Sequence, residues 1–164
     1  MTNSYPPLAI TALWAYVNDD LIELLDLFSE EKLNWSPGPE VWNARGLLIH
    51  VCFGRYGLMQ FIVKDGKESP NVLQEGQTQA GLREQLRLSW ERVQPFLRDA
   101  DLLAREYEGM TLGETGMLTG HELAFGQLEH DIHHRADILH HLRALGITHQ
   151  EPDTLLRVLK QRNA

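Results

Sequence analysis

The chain has 164 residues, 43% hydrophobic and 23% charged, which fits a single domain over residues 1–164 with a sizeable buried core. Its 15 Lys and Arg against 23 Asp and Glu give a formal charge of −8, so the basic stripe that nucleic-acid binding needs is missing, as is a Lys/Arg cluster for an anionic membrane. Met1–Pro7 lacks the basic and apolar segments of a signal peptide, and the apolar run Leu47–Val63, broken by His50, Arg55 and Gln60, reads as too short and too polar for a membrane span. The only cysteine, Cys52, cannot form an intramolecular disulfide. These features point to a cytoplasmic protein with a small-molecule substrate rather than nucleic acid or a membrane as partner.

Leu, Ala, Glu, Gln and Arg dominate and alternating Val/Ile/Thr runs are missing, so the expected fold class is all-α. A first helix after Pro6-Pro7 carries Ile10, Leu13, Trp14, Val17, Leu21, Leu24 and Phe28 at spacings of three and four, which makes one core stripe. Ser29–Leu33 adds a short turn, and Pro37, Gly38 and Pro39 stop any helix. A second helix, capped by Asn43 and stapled by Trp42 with Leu47, runs to about Lys64. One of its faces holds Leu47, His50, Gly54, Gly57, Leu58 and Phe61, and the other Leu48, Cys52, Met59 and Val63. Gly54 and Gly57 lower helix propensity beside His50, which points to close approach by another helix or by a ligand.

Asp65–Gln77 reads as a polar loop. A third helix spans about Thr78–Arg98, with a kink or an early end expected at Pro95. Asp101–Leu118 reads as a long connection that could cover a site. The fourth helix opens on a capping box, Thr119-Gly120-His121-Glu122, with Leu118 and Leu123 as its staple. It closes with Gly146 at C′ and Ile147 packing on Leu142. Pro152-Asp153 opens a short fifth helix with Leu155, Leu156 and Leu159. The expected architecture is a four-helix bundle with long connections plus a short C-terminal helix. Its second and fourth helices are apolar on two sides, which suits either a central pair or a homodimer face.

Three of the eight histidines fall in Glu129–Asp137. His130 and His134, spaced i, i+4, share a helix face with Ile138, His141 and Leu145, opposite Phe125, Leu128, Ile132 and Leu139. A lone histidine on an apolar face is ordinarily a packed, hydrogen-bonded residue, and i, i+4 pairs are not rare. Here the pair coincides with an inward-facing His50 on a helix that can be its neighbour. Three imidazoles buried together without an ion would each need partners for their ring nitrogens. His50, His130 and His134 are therefore the candidate metal ligands. Three neutral imidazoles leave a coordination position open, the catalytic rather than the structural pattern. That position could activate a water for hydrolysis or lower the pKa of a small thiol.

Imidazole suits zinc, nickel, iron and copper alike, so the residues do not choose the ion; the expectation is zinc or nickel first, with iron or manganese after them. Glu129, Asp131 and Asp137 are candidate acceptors for the second ring N–H of each ligand. His133 and His140 point away, and His141 lies on the correct face but too far along the helix to ligate. Cys52 faces away from His50 and reads as a small buried hydrophobe. No Glu-x-x-His pair supports a di-iron site, and no serine has an evident base.

His130-x-x-His133-His134-Arg135-x-x-Ile138-Leu139, followed by Leu142-Arg143-x-Leu145-Gly146, resembles the last-helix signature of the DinB/YfiT-like bundle proteins. Leu33-x-Trp35-x-Pro37, then Trp42-Asn43 and Leu47-Leu48-x-His50, is similar to that family's segment around its second helix. The resemblance implies a four-helix bundle, commonly dimeric, with one divalent metal on His50, His130 and His134. The family usually has Gly-Gln after the arginine, where this chain has Ala136-Asp137. Members with an assigned activity include metal-dependent transferases and isomerases that use low-molecular-weight thiols. The leading expectation is thus a metalloenzyme of the thiol S-transferase or isomerase type with a small thiol cosubstrate. The alternatives are a metal-dependent hydrolase, and a non-enzymatic bundle whose metal only stabilises a homodimer.

Overall fold

In a computed structural model that describes residues 10–111 and 114–149, the chain is mostly helical with one small hairpin. The start expected at Pro6-Pro7 and the short helix expected at Leu155, Leu156 and Leu159 lie outside the described residues.

Helix α1 (Ile10–Asp26) buries Trp14, Val17, Leu21 and Leu24 completely, as its spacing of three and four requires. Ser29 caps the single turn α2 (Glu30–Leu33). Helix α3 (Ala44–Gly57) starts where Asn43 Oδ1 accepts from the Gly46 N–H at 2.8 Å. It continues as a π-helical stretch over Leu58–Val63 and stops at Lys64, whose φ is 59°. A one-turn helix α4 (Val72–Glu75) interrupts the polar loop. Helix α5 (Gln79–Arg98), capped by Thr78, runs through Pro95, so the early end expected there does not occur. Pro95 sits in the last turn, three residues before the helix ends at Arg98.

The long connection expected over Asp101–Leu118 is instead a short helix α6 (Ala100–Ala104) and a hairpin, which corrects the all-α expectation. Strands β1 (Glu106–Thr111) and β2 (Glu114–Thr119) pair antiparallel, from Glu106 with Thr119 to Thr111 with Glu114. A lone two-stranded ribbon is marginal in water. This one packs on α7 (Gly120–Ala144) and on the π-helical stretch. The buried Tyr107 stitches it to α6 by donating from its hydroxyl to Leu102 O at 3.0 Å.

Four long helices form a closed ring of contacts. α1 packs on α5 and α7, and α3 packs on α5 and α7. By length and composition Ala44–Val63 is apolar enough to cross a membrane, with a mean hydropathy of 1.4, more than the sequence reading allowed. Half of that window is buried inside the protein, and Arg55 within it is wholly enclosed, so it behaves as the core helix of the fold. The second apolar face expected on α7 is only partly covered: Leu128 and Leu139 are buried, while Phe125 and Ile132 are exposed.

Candidate metal centre

Both ends of α7 are fixed by local sequence. Thr119 and Glu122 exchange the two bonds of a capping box. At the far end Gly146 adopts φ +69°, and the N–H groups of Gly146 and Ile147 donate to Arg143 O and Leu142 O. That is a Schellman closure, and its left-handed residue is a position where glycine is needed. Between these caps His130 and His134 stand one turn apart, with ring centroids separated by 4.5 Å.

His50 comes from α3, which packs along α7. Its ring lies 4.8 Å from His130 and 4.9 Å from His134. One ring nitrogen from each of the three residues lies within 4.8 Å of the other two, so the group could hold a metal ion. Gly54, one turn beyond His50, makes this approach possible. A Cβ there would stand 2.7 Å from Gln127 Nε2 and 3.1 Å from His130 Cε1. Gly54→Ala is therefore expected to lower metal affinity ~10-fold by displacing His130 or its partners, although alanine alone would favour the helix by ~1 kcal/mol. A variant that is simply more stable, with zinc affinity unchanged in a competition titration, would refute the close-approach role.

The electrostatics keep the set in its ligand form. Burial, reinforced by His130 and His134, holds the His50 imidazole below its ordinary value. Burial and then His130 do the same to His134, against an opposing pull from Asp137. Neutral imidazole is the form that binds a metal.

Behind the rings lies a buried polar network. Asp131 is wholly enclosed and accepts from Trp14 Nε1 at 2.7 Å, Arg55 Nε at 2.8 Å and Gln127 Nε2 at 3.1 Å. Burial alone would raise its carboxyl; Arg55, His130 and Trp14 outweigh that and hold it below the usual carboxylate range. His130 Nδ1 lies 3.4 Å from Asp131 Oδ1 and 3.1 Å from Gln127 Nε2. With its proton on Nδ1, His130 donates to Asp131 and keeps Nε2 as the lone-pair nitrogen, and the Gln127 amide N–H then serves Asp131 rather than the ring. Arg55 also donates through Nη1 to Asn18 Oδ1 at 2.8 Å and Leu86 O at 3.2 Å, tying the network to α1 and α5.

His134 Nδ1 lies 3.2 Å from Asp137 Oδ2. Asp137 is thus the partner of a ligand ring, at one of the two positions where the chain departs from the pattern it resembles. The neighbouring Arg135 pairs with Asp20 of α1 and anchors α7 at the level of the histidines. Of the three carboxylates singled out from the sequence, Asp131 and Asp137 meet ligand rings, while Glu129 stands exposed at the rim of a cleft.

The remaining histidines fall into other roles. His133 is 72% exposed, but with His134 and Asp137 it forms a second group of donors close enough to hold an ion. His140 is exposed. His141 is buried, with its ring nitrogens 2.9 Å from Asp137 O and 2.8 Å from Trp42 O, so it fastens the segment before α3 to α7. Trp42, expected to staple the helix, sets its ring edge against His50 at 5.0 Å. Burial pushes the Cys52 thiol up to about 12, so it is no nucleophile at neutral pH.

Among the described residues, three clefts meet at His50. The largest, about 900 Å3, runs past His130 between α3 and α7 to the hairpin. A second, about 590 Å3, reaches His134, Asp137 and His141, and a third, about 500 Å3, lies behind Trp42. The histidine set is therefore accessible from more than one side.

Fold and donor set together define a helical protein with a three-histidine candidate metal centre. A family model of the DinB superfamily matches residues 13–138, a span that holds all three histidines, and the chain belongs to that superfamily. Its fold is similar to the crystal structure of a DinB-like protein of Bacillus subtilis, with 21% identity, a TM-score of 0.66, and coverage of 88% of this chain and 96% of that one. No curated protein sequence matches the chain.

Arg55, Trp14 and Gln127 escaped the sequence reading. The one available signal was Arg55 itself, since an arginine inside the apolar run Leu47–Val63 needs a buried partner.

Proposed function

We propose that the chain is a cytoplasmic metalloenzyme of the low-molecular-weight-thiol transferase type, holding one divalent ion on His50, His130 and His134. Imidazole suits zinc, nickel, iron and copper alike; zinc or nickel is the first expectation, iron or manganese the second. The observation that carries the reading is the convergence of three histidines, two of them held neutral by burial, where three clefts meet. An ion there would supply an open Lewis-acid position that lowers the pKa of a small thiol.

The protein's own residues do the rest. Asp131 and Asp137 orient the rings of His130 and His134. Trp42 shields His50 from one side. Separate clefts would let a thiol and an electrophile approach the same ion from different sides. The ring of long helices is read as a four-helix bundle forming a single domain, with the exposed Phe125 and Ile132 of α7 on a homodimer face.

The test uses cobalt-substituted protein and a panel of small thiols. A thiol is expected to change the visible spectrum, and turnover with an electrophilic acceptor should need both thiol and metal. A spectrum indifferent to every thiol, or a hydrolytic rate that needs none, would reject the transferase reading.

A further inference from the structure

We infer that the largest cleft at the histidines binds a neutral or cationic molecule with an aromatic or branched apolar body. The inference rests on the metal-centre reading, which gives the cleft a reactive end at His50 and His130.

Size and lining come first. At about 900 Å3 the cleft lies in the range that encloses a small organic ligand. Phe53, Leu58, Phe61, Leu118 and Leu123 supply its apolar walls. Phe61, about three turns along the helix from His50 in the same cleft wall, is 70% exposed, an arrangement that leaves its ring free to cover a guest.

Charge narrows the guest. Glu108, Glu122 and Glu129 line the cleft, and no Lys or Arg does among the described residues. Nor does one line either smaller cleft at His50, where Glu40 and Asp137 add two more carboxylates. Away from the histidine end, an anionic guest would meet Glu108 and Glu129, with the Glu122 carboxylate engaged by Thr119, and a cation would be drawn in.

Two glycines point the same way. Gly57 and Gly126 sit on α3 and α7, where each costs the helix ~1 kcal/mol relative to alanine. Gly57 has an ordinary helical φ of −61°, and the only positive-φ glycines among the described residues are Gly66 and Gly146. A Cβ at Gly57 or Gly126 would meet nothing within 4 Å. Neither backbone conformation nor helix packing therefore calls for glycine at these two places. What they share is the wall of this one cleft, and what glycine supplies there is open volume. Gly54 in the same wall is the contrasting case, pressed against Gln127 and His130.

Calorimetric titrations test this with benzyltrimethylammonium and phenylmethanesulfonate, two benzyl compounds of opposite charge that coordinate metals poorly. Each is added to zinc-loaded and to metal-free protein, and zinc affinity is measured separately. The ammonium compound is expected to bind at least ~10-fold tighter than the sulfonate in both forms. Gly126→Leu should weaken the ammonium compound by at least ~10-fold without changing zinc affinity, while Gly126→Ala should raise the melting temperature. A sulfonate that binds as well, or a Gly126→Leu variant with unchanged affinity, overturns the inference. So does a dimer that dissociates in Gly126→Leu, because a second copy would then be the occupant. Loss of zinc binding alone, with ammonium binding intact, would instead fault the metal-centre reading.

Discussion

Replacing His50 with alanine is expected to weaken divalent-metal binding by at least ~100-fold, because removing a ligand exceeds the 10–100-fold cost of losing one of its outer partners. His50 is the only member of the set that α7 does not supply. Its ring lies within 5 Å of both His130 and His134, and burial keeps it neutral. The fold should survive, since His50 is only half-buried and opens onto clefts. A zinc-competition titration reads the effect directly. A variant that retains full affinity would mean that the third ligand is misassigned.

The largest loss of stability is expected from Arg55→Ala. Arg55 and Asp131 form an ion pair at 2.8 Å in which both side chains are fully enclosed. Removing one partner of such a pair leaves an uncompensated buried charge and costs ~3–5 kcal/mol, a fall of about 10 °C in melting temperature for a chain of this size. The pH dependence gives a second check. Asp131 has a folded-state carboxyl below the usual range, so its stabilising contribution is present above the unfolded value and is lost as pH falls through the folded one. Without Arg55 the carboxyl should rise, and the deficit of the variant should shrink as pH falls toward ~4. Denaturant melts of both proteins at neutral and acid pH would measure this. An undiminished melting temperature would show that the network does not hold the site.

What could be read from the sequence was what is encoded locally. The capping box at Thr119, the Asn43 cap and the Gly146 closure each depend on a few adjacent residues, and all three stand as expected. The histidine set followed from helical spacing plus one long-range inference, and the structure brings its three members together. The hairpin was illegible because its strands lack β-branched runs and pair Gly109 with Gly116. It stands because it packs on α7, a tertiary effect with no period in the sequence. The Arg55–Asp131 pair joins residues 76 apart, and the bond from His141 to Trp42 spans 99. No spacing rule reaches such distances. Asp131 was singled out for lying next to His130, whereas its burial among four donors comes from α1 and α3 closing on α7.

The most direct measurement is a zinc titration of protein prepared without a nickel column and stripped of metal, read by calorimetry with metal content determined beside it. One ion per chain is expected at the three histidines, with affinity lost in His50→Ala. Protein that carries no stoichiometric metal and rebinds none would contradict the metal centre outright.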